Sequence, residues 1–294
     1  MSTTSQILFI VEGEKLEPKI VKRMAEVYGF QCEITSVRTC IYDLYVSLKN
    51  DKKKDDELSL LDVVPTLKGM LEAKASILEK QNPSEERDKT LAGIKGDIEK
   101  LNRNYPFIYL IFDSDFQHDD IKEGQPMTTT EDIAMMHCDV LREMVEFFDN
   151  ETEQGKLYVN YPMMESYRDC DDFFDNTYND RLVSLDALFK NDGGKGYKAL
   201  VNKRKKCNID GIDIQETEFN RLICMNVFKL NYLSIKQWQK PEYNDFRDYS
   251  DQTAILEKER EFILINKAVS VLNTSLFFAI DYKGPEFYDS SINP

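Results

Sequence analysis

Two unbroken apolar runs, each closed by acidic residues, constrain this chain more than any other feature. Ile7-Leu8-Phe9-Ile10-Val11 runs into Glu12-Gly13-Glu14, and Phe107-Ile108-Tyr109-Leu110-Ile111-Phe112 runs into Asp113-Ser114-Asp115. Neither run alternates polar with apolar, so neither fits a strand with one wet face. Short apolar runs of this kind, rich in β-branched and aromatic residues, fit strands buried on both faces, as in a parallel sheet covered by helices. The segment after the first run supplies a crossover: Ile20, Val21, Met24 and Val27 recur at helical spacing, Pro18 falls in a first-turn position and Gly29 is a stop signal. A second short strand is expected at 31–37, so residues 1–37 read as a βαβ unit. The pattern predicts an α/β protein.

Between 49 and 105 the composition changes. The charged stretch Asp51-Lys52-Lys53-Lys54-Asp55-Asp56-Glu57 leads to two amphipathic stripes, Leu67, Met70, Leu71, Leu78 and Leu91, Ile94, Ile98, Leu101, with Asn82-Pro83-Ser84 between them. This predicts an inserted helical hairpin. It is either an arm that caps the core or one that binds a partner or a second copy, and two such stripes can satisfy each other. The core resumes with the second apolar run. After a Thr-rich loop at 125–130, Thr130 is expected to cap a helix running to about residue 149. A further strand is expected at 156–160, followed by Tyr161-Pro162-Met163-Met164-Glu165-Ser166. Beyond it the chain is expected to be mainly helical, including 253–273. The expected division is 1–165, carrying the insertion at about 49–105, and 166–294, within the usual range of domain sizes.

Charge narrows the function classes. The 294 residues carry 38 Lys and Arg against 53 Asp and Glu, a formal net charge of −15, with 41% hydrophobic and 11% aromatic residues. That apolar content supports a packed core and excludes a disordered acidic tail. The charge excludes a generally basic nucleic-acid coat but leaves room for a local basic groove. No apolar run approaches the ~18–20 residues of a membrane span and no signal-peptide pattern opens the sequence, so a soluble, cytoplasmic protein is expected, with no membrane partner. The six cysteines include no Cys-x-x-Cys pair, and only His118 and His137 could join them, which disfavours structural zinc or a disulfide framework. Abundant carboxylates suit Mg²⁺, Mn²⁺ or Ca²⁺ instead.

Three acidic groups stand at the carboxyl ends of three expected strands: Glu12 with Glu14, Asp113 with Asp115, and Glu165. In an open parallel sheet that edge is where ligands bind, so groups distant in sequence can converge there. Asp113 and Asp115, two apart, point the same way while the chain stays extended. Such clustering is repulsive unless a cation compensates it.

These residues resemble the Toprim domain, whose pattern is a Glu after the first strand and Asp-x-Asp after a later one. Val11-Glu12-Gly13-Glu14-Lys15-Leu16-Glu17-Pro18 is more narrowly similar to the opening of RloB-like proteins, although Leu16 stands where these typically carry Thr. Tyr161-Pro162-Met163-Met164-Glu165-Ser166 looks like their later Pro-x-x-Glu segment. The resemblance covers roughly 7–37 and 107–166. It implies a Toprim, Rossmann-like fold and a Mg²⁺- or Mn²⁺-dependent endonuclease of an anti-phage system that pairs with an ABC-type ATPase. By position it makes Glu12 a general acid/base or metal ligand, Asp113 and Asp115 metal ligands, and Glu165 a further ligand, with Glu14 and Glu17 as weaker candidates.

The strongest basic patch is Asp192-Gly193-Gly194-Lys195-Gly196-Tyr197-Lys198 with Lys203-Arg204-Lys205-Lys206. It lacks the spacing and preceding strand of a P-loop. Lys195 or Lys198 is expected to steady a scissile phosphate, as a lysine does in the similar OLD-type nucleases; the alternative is a solvated face. His118 and His137 are expected to be structural or solvated, and Trp238, Tyr243, Tyr249, Tyr282 and Tyr288 to pack in the core or an interface rather than stack on bases. The expected function is cleavage of DNA or RNA, tRNA included, by a chain held and regulated by the ATPase, with a homodimer open. The competing readings are a non-catalytic binding subunit of that ATPase and an acidic nucleic-acid mimic, in which surface charge rather than a metal would matter.

Overall fold

The computed structural model describes residues 7–50, 63–118, 129–170, 177–189, 195–204 and 214–293. The first apolar run forms β1 (Ile7–Val11), buried throughout, and α1 (Leu16–Tyr28) follows with Pro18 in its first turn. Gly29 ends α1 in the left-handed region at φ 73°, its N–H donating to Ala25 O, a conformation glycine adopts without a Cβ clash. β2 (Cys32–Ser36) completes the crossover. A short helix, α2 (Ile41–Asn50), precedes the expected hairpin of α3 (Val63–Glu79) and α4 (Glu85–Leu101), where Ser84 caps α4 by accepting from Arg87 N at 3.2 Å. The second apolar run is β3 (Phe107–Asp113). After it come α5 (Thr130–Phe147), the two-residue β4 (Asp149–Asn150) and β5 (Gly155–Asn160).

The sheet order is β2-β1-β3-β5-β4, parallel except for the β4 edge. This is a Rossmann-like α/β arrangement. Because β2 and β3 flank β1 on opposite sides, the strand order reverses between β1 and β3, and the crevice at their carboxyl ends is the place such a sheet offers a ligand. The hairpin is seated on the core, since Leu67, Leu71, Ile94 and Leu101 are buried and α4 packs along β2. Among the described residues no helix is long and apolar enough to cross a membrane.

Past β5 a 3-10 turn (Met164–Arg168) leads to β6 (Leu182–Ser184), α6 (Leu185–Phe189), α7 (Lys195–Arg204), α8 (Glu216–Ile235), α9 (Tyr243–Tyr249) and α10 (Gln252–Asn266). The chain ends through β7 (Ala268–Ser270), a second 3-10 turn (Thr274–Phe277), α11 (Phe278–Lys283) and α12 (Pro285–Ser291). The Phe278 ring meets Phe9 and Tyr109 edge-on, each at 4.7 Å between centroids, so the last helices help cover the sheet.

Two local expectations are corrected. The helix expected over 253–273 stops at Asn266, where Lys267 turns left-handed at φ 53°, and β7 pairs antiparallel with β6. Val269 and Val271 around Ser270 form a period-two pattern that strand pairing captures and a helix cannot. The cap of α5 is Thr129, not Thr130: from extended backbone its Oγ1 reaches Asp132 N at 3.1 Å, whereas Thr130 is already helical. The charged run 51–57 and most of the Thr-rich loop lie outside the described residues.

Candidate metal centre

Glu12 sits one residue beyond β1 and its backbone prolongs the ladder on both sides. Its N–H donates to Ile111 O at 3.2 Å and its carbonyl accepts from Arg38 N at 2.9 Å. Register pairs Val11 with Ile111 and Asp113 with Asn160, so Asp113 lies at the same edge as Glu12. The Glu12 side chain turns over β3, where Oε2 accepts from Asp113 N at 3.1 Å. One carboxylate oxygen each from Glu12, Asp113 and Asp115 lies within 4.8 Å of the other two.

The route by which Asp115 arrives differs from the expectation. β3 ends at Asp113, and Asp115 has φ 38°, left-handed for a residue with a Cβ. A turn therefore brings its carboxylate beside Asp113, not the alternation of an extended strand. The turn is held from several sides: His118 N donates to Asp115 O at 2.9 Å, and Gln117 Nε2 to Asp115 Oδ1 at 3.0 Å. Buried Ser114 donates its N–H to Asn160 O and its hydroxyl to Pro162 O, both at 3.0 Å, and its carbonyl accepts from Tyr42 Oη at 2.5 Å. His137 Nδ1 lies 2.7 Å from Phe116 O while its ring stacks 4.2 Å from Tyr42, so this histidine is a post beneath the turn. His118 Nε2 lies 3.4 Å from Cys40 Sγ.

Glu165 lines the same cleft of about 520 Å³, together with Glu17 and Lys198. It sits in the 3-10 turn beyond the cis Tyr161–Pro162 peptide, buried, with Oε1 3.3 Å from Lys198 Nζ. Glu17, on the first turn of α1, is buried too, and Gly13 makes room for it. A Cβ at Gly13 would lie 2.5 Å from Glu17 Oε2. Glu14 is exposed and pairs with Arg38 Nε at 2.6 Å. Lys195 heads α7, but its side chain and residues 190–194 and 205–213 lie outside the described residues, so of the basic patch only Lys198 is placed in the cleft.

Electrostatics confirm crowding. Burial, then Asp115 and Asp113, push the Glu12 carboxyl well above the usual range; burial, then Asp115, Glu17 and Glu165, do the same to Asp113. Asp115 is raised by burial, although Glu12, His118, Gln117 and Lys198 each pull it down. Glu17 is raised by burial and by Glu165. For Lys198 burial works against the charge, but Glu165, Asp113 and Glu17 outweigh it and hold its pKa above the ordinary value. Asp113 Oδ1 and Glu165 Oε2 are buried with no hydrogen-bond partner among the described residues. An all-oxygen donor set with two buried, unpartnered carboxylate oxygens among the residues of the cleft fits a hard divalent cation such as Mg²⁺ or Mn²⁺, and the triad offers no thiol or imidazole to favour a softer one.

Sequence reasoning missed the residues that hold the walls. Asn273 Nδ2 donates to Met164 O at 3.1 Å and to Ser166 Oγ at 3.2 Å, Ser275 N donates to Asn160 Oδ1 at 3.2 Å, and Thr274 Oγ1 donates to Val159 O at 2.8 Å. All are buried and more than 100 residues from what they hold, so no local pattern exposes them. Asn273→Ala is expected to cost about 1–3 kcal/mol by orphaning buried polar groups, measured by urea unfolding; a loss within error would show that the 3-10 turn does not depend on it. Trp238 and Tyr288 pack as expected: Trp238 meets Phe228 edge-on at 5.7 Å, and buried Tyr288 donates to Pro241 O at 2.8 Å.

Searches of protein-family models, of curated proteins and of solved structures find no match to this chain.

Proposed function

We propose that this chain is a Toprim-type metal-dependent endonuclease that hydrolyses phosphodiester bonds in DNA or RNA. The observation that carries the reading is the convergence of Glu12, Asp113 and Asp115 at the strand-order switch, with Asp113 Oδ1 buried and without a hydrogen-bond partner among the described residues. The order and strand context of Glu12-Gly13 and Asp113-Ser114-Asp115 support the Toprim assignment. In this reading Glu12, Asp113 and Asp115 hold Mg²⁺ or Mn²⁺, and Glu165, which lines the same cleft, is a further ligand. Bound there, the cation supplies Lewis-acid polarisation of a phosphate oxygen and lowers the pKa of water.

The chain's own groups do the rest. Asp113 N fixes the Glu12 carboxylate through Oε2. Gln117 Nε2 and His118 N hold the Asp115 turn, which keeps its carboxylate beside those of Glu12 and Asp113. Lys198, kept protonated by the surrounding carboxylates, lines the cleft together with Lys15, which supports its role in this reading as the group that meets a phosphate oxygen. The resemblance to RloB-like proteins extends the proposal to an effector of anti-phage defence held by an ABC-type ATPase, for which the net charge of −15 supplies electrostatic attraction to a basic partner surface.

The test is incubation of the purified chain with total RNA and with plasmid DNA, with Mg²⁺ or Mn²⁺ and with chelator. Metal-dependent cleavage that Asp113→Ala abolishes is the expected result. No cleavage of either substrate by protein freed of its partner, or cleavage that survives Asp113→Ala, would refute the reading.

A further inference from the structure

The loop carrying Glu12 is pinned from the side by the segment after β2. Val37 N donates to Val11 O at 3.0 Å, Arg38 N to Glu12 O at 2.9 Å, and Ser36 Oγ to Gly13 O at 2.8 Å. Arg38 itself is held at φ 55°, a conformation that an L residue keeps only where its surroundings enforce it. Both helices of the inserted hairpin do so. From α3, Lys74 Nζ donates to Val37 O at 3.1 Å and to Arg38 O at 2.6 Å. From α4, buried Asp97 accepts from Arg38 Nη1 at 2.8 Å, and that nitrogen also donates to Ser36 O at 2.7 Å. The same guanidinium reaches Glu14 at 2.6 Å through Nε. Asp97 is in turn bonded by Lys100, whose Nζ also donates to Ile34 O at 2.6 Å and so ties α4 to β2. Gly93 leaves the space the guanidinium uses, since a Cβ there would lie 3.1 Å from Arg38 Nη2.

We propose that Arg38, anchored on Asp97 of the inserted hairpin, is a positioning residue for the Glu12 loop, so that the seating of the hairpin on the sheet sets how tightly the carboxylate triad holds its cation. The inference rests on the metal-binding reading above. The guanidinium is a planar fork whose separate N–H groups grip the hairpin and the loop at once, which a point-charge ammonium does not reproduce. The insertion is then a lever on the site as well as a cap on the core, and whatever displaces the hairpin loosens Glu12.

The test is Mn²⁺ affinity, by calorimetry or electron paramagnetic resonance, for the full chain and for Asp97→Asn, Glu14→Gln, their combination and Arg38→Lys. Thermal unfolding is followed in parallel. Asp97→Asn and Glu14→Gln are each expected to weaken Mn²⁺ binding by about tenfold, the usual consequence of losing a group that orients a ligand. Because both act through Arg38, the double variant is expected to be no weaker than the worse single one. Arg38→Lys, which keeps the charge but not the fork, is expected to weaken Mn²⁺ binding by a similar factor. Lys95→Ala, which breaks only the exposed pair with Glu79 on the hairpin, is expected to change nothing. Glu14 is exposed, so Glu14→Gln reports even if Asp97→Asn fails to fold. Unchanged affinity in both single variants, or losses that multiply in the double, would overturn this inference alone. A wild-type chain that binds no Mn²⁺ would overturn the metal reading and this inference with it.

Discussion

Asp113→Asn is expected to lower cleavage by about a thousandfold or more and, in the same molecule, to make the metal-free protein more stable at neutral pH. Both effects come from one cause. Asp113 is buried among Asp115, Glu17 and Glu165, and its carboxyl is pushed well above the usual range by burial first and by those charges second. Glu12 is raised in the same way. A raised carboxyl means that the folded state binds protons the unfolded chain has already released. Stability is therefore greatest below the unfolded pKa and falls as pH climbs from the ordinary carboxylate range toward the raised folded values. At neutral pH the metal-free protein carries that penalty. An isosteric amide removes one charge from the cluster and should return about 1–3 kcal/mol, or a melting temperature higher by several degrees. Saturating Mn²⁺ should do the converse. If the triad binds it, Mn²⁺ is expected to stabilise the wild type by about 2.7 kcal/mol at a hundred times Kd and to have little effect on Asp113→Asn. Thermal unfolding at about pH 5.5 and pH 8, with and without Mn²⁺, reads all of this. A variant less stable than the wild type at the higher pH, or an equal Mn²⁺ shift in both proteins, would show that the carboxylates are not a strained cation site.

The parts legible in the sequence are those whose physics is local. Ile7 to Val11 and Phe107 to Phe112 had to be buried on both faces, and the acids that follow had to emerge at one sheet edge, so the triad could be assembled before any coordinate was known. Lys198 could be named but not separated from Lys195, because charge spacing says nothing about which lysine faces a cleft. The supports were illegible for a different reason. Asn273, Thr274 and Ser275 read as an ordinary polar turn, and only tertiary packing turns them into the brace under Glu165. Asp115 comes beside Asp113 through a left-handed turn at φ 38° rather than through the pleat of an extended strand, and residue spacing cannot tell those two routes apart. Arg38 had a signal that was available: it follows a strand whose carboxyl end lies at the edge that carries Glu12. Position after a parallel strand deserves the same scrutiny for a cation as for an acid.

Lys229→Met is expected to cost about 1–3 kcal/mol of stability at alkaline pH by leaving buried carbonyls without a donor, although it lies far in sequence from every candidate ligand. Lys229 is fully buried on α8, and its Nζ donates to three backbone carbonyls, Tyr178 O at 3.0 Å, Asn179 O at 2.7 Å and Arg181 O at 3.1 Å. A thioether of similar length fills the space and leaves all three carbonyls without that donor. Burial lowers the ammonium pKa to about 7, against the pull of Glu259 and Asp180. A lowered base makes the unfolded chain bind the extra proton between that value and 10.5, so this residue's contribution rises with pH through that window. The gap between wild type and variant should therefore widen on the alkaline side, as measured by urea unfolding at several pH values. The consequence reaches the cleft by contact. Arg181 Nη1 donates to Asp169 O at 2.6 Å, Asp169 Oδ2 accepts from Tyr197 Oη at 3.1 Å, and Tyr197 precedes Lys198 on α7. Loosening the 178–181 turn frees that chain of bonds next to Lys198, which lines the cleft. Cleavage by folded Lys229→Met is expected to fall while Mn²⁺ affinity at Glu12, Asp113 and Asp115 holds. Equal losses in both would mean that α7 and the triad move as one unit, and a stability loss below about 1 kcal/mol would mean that water replaces the ammonium at the carbonyls.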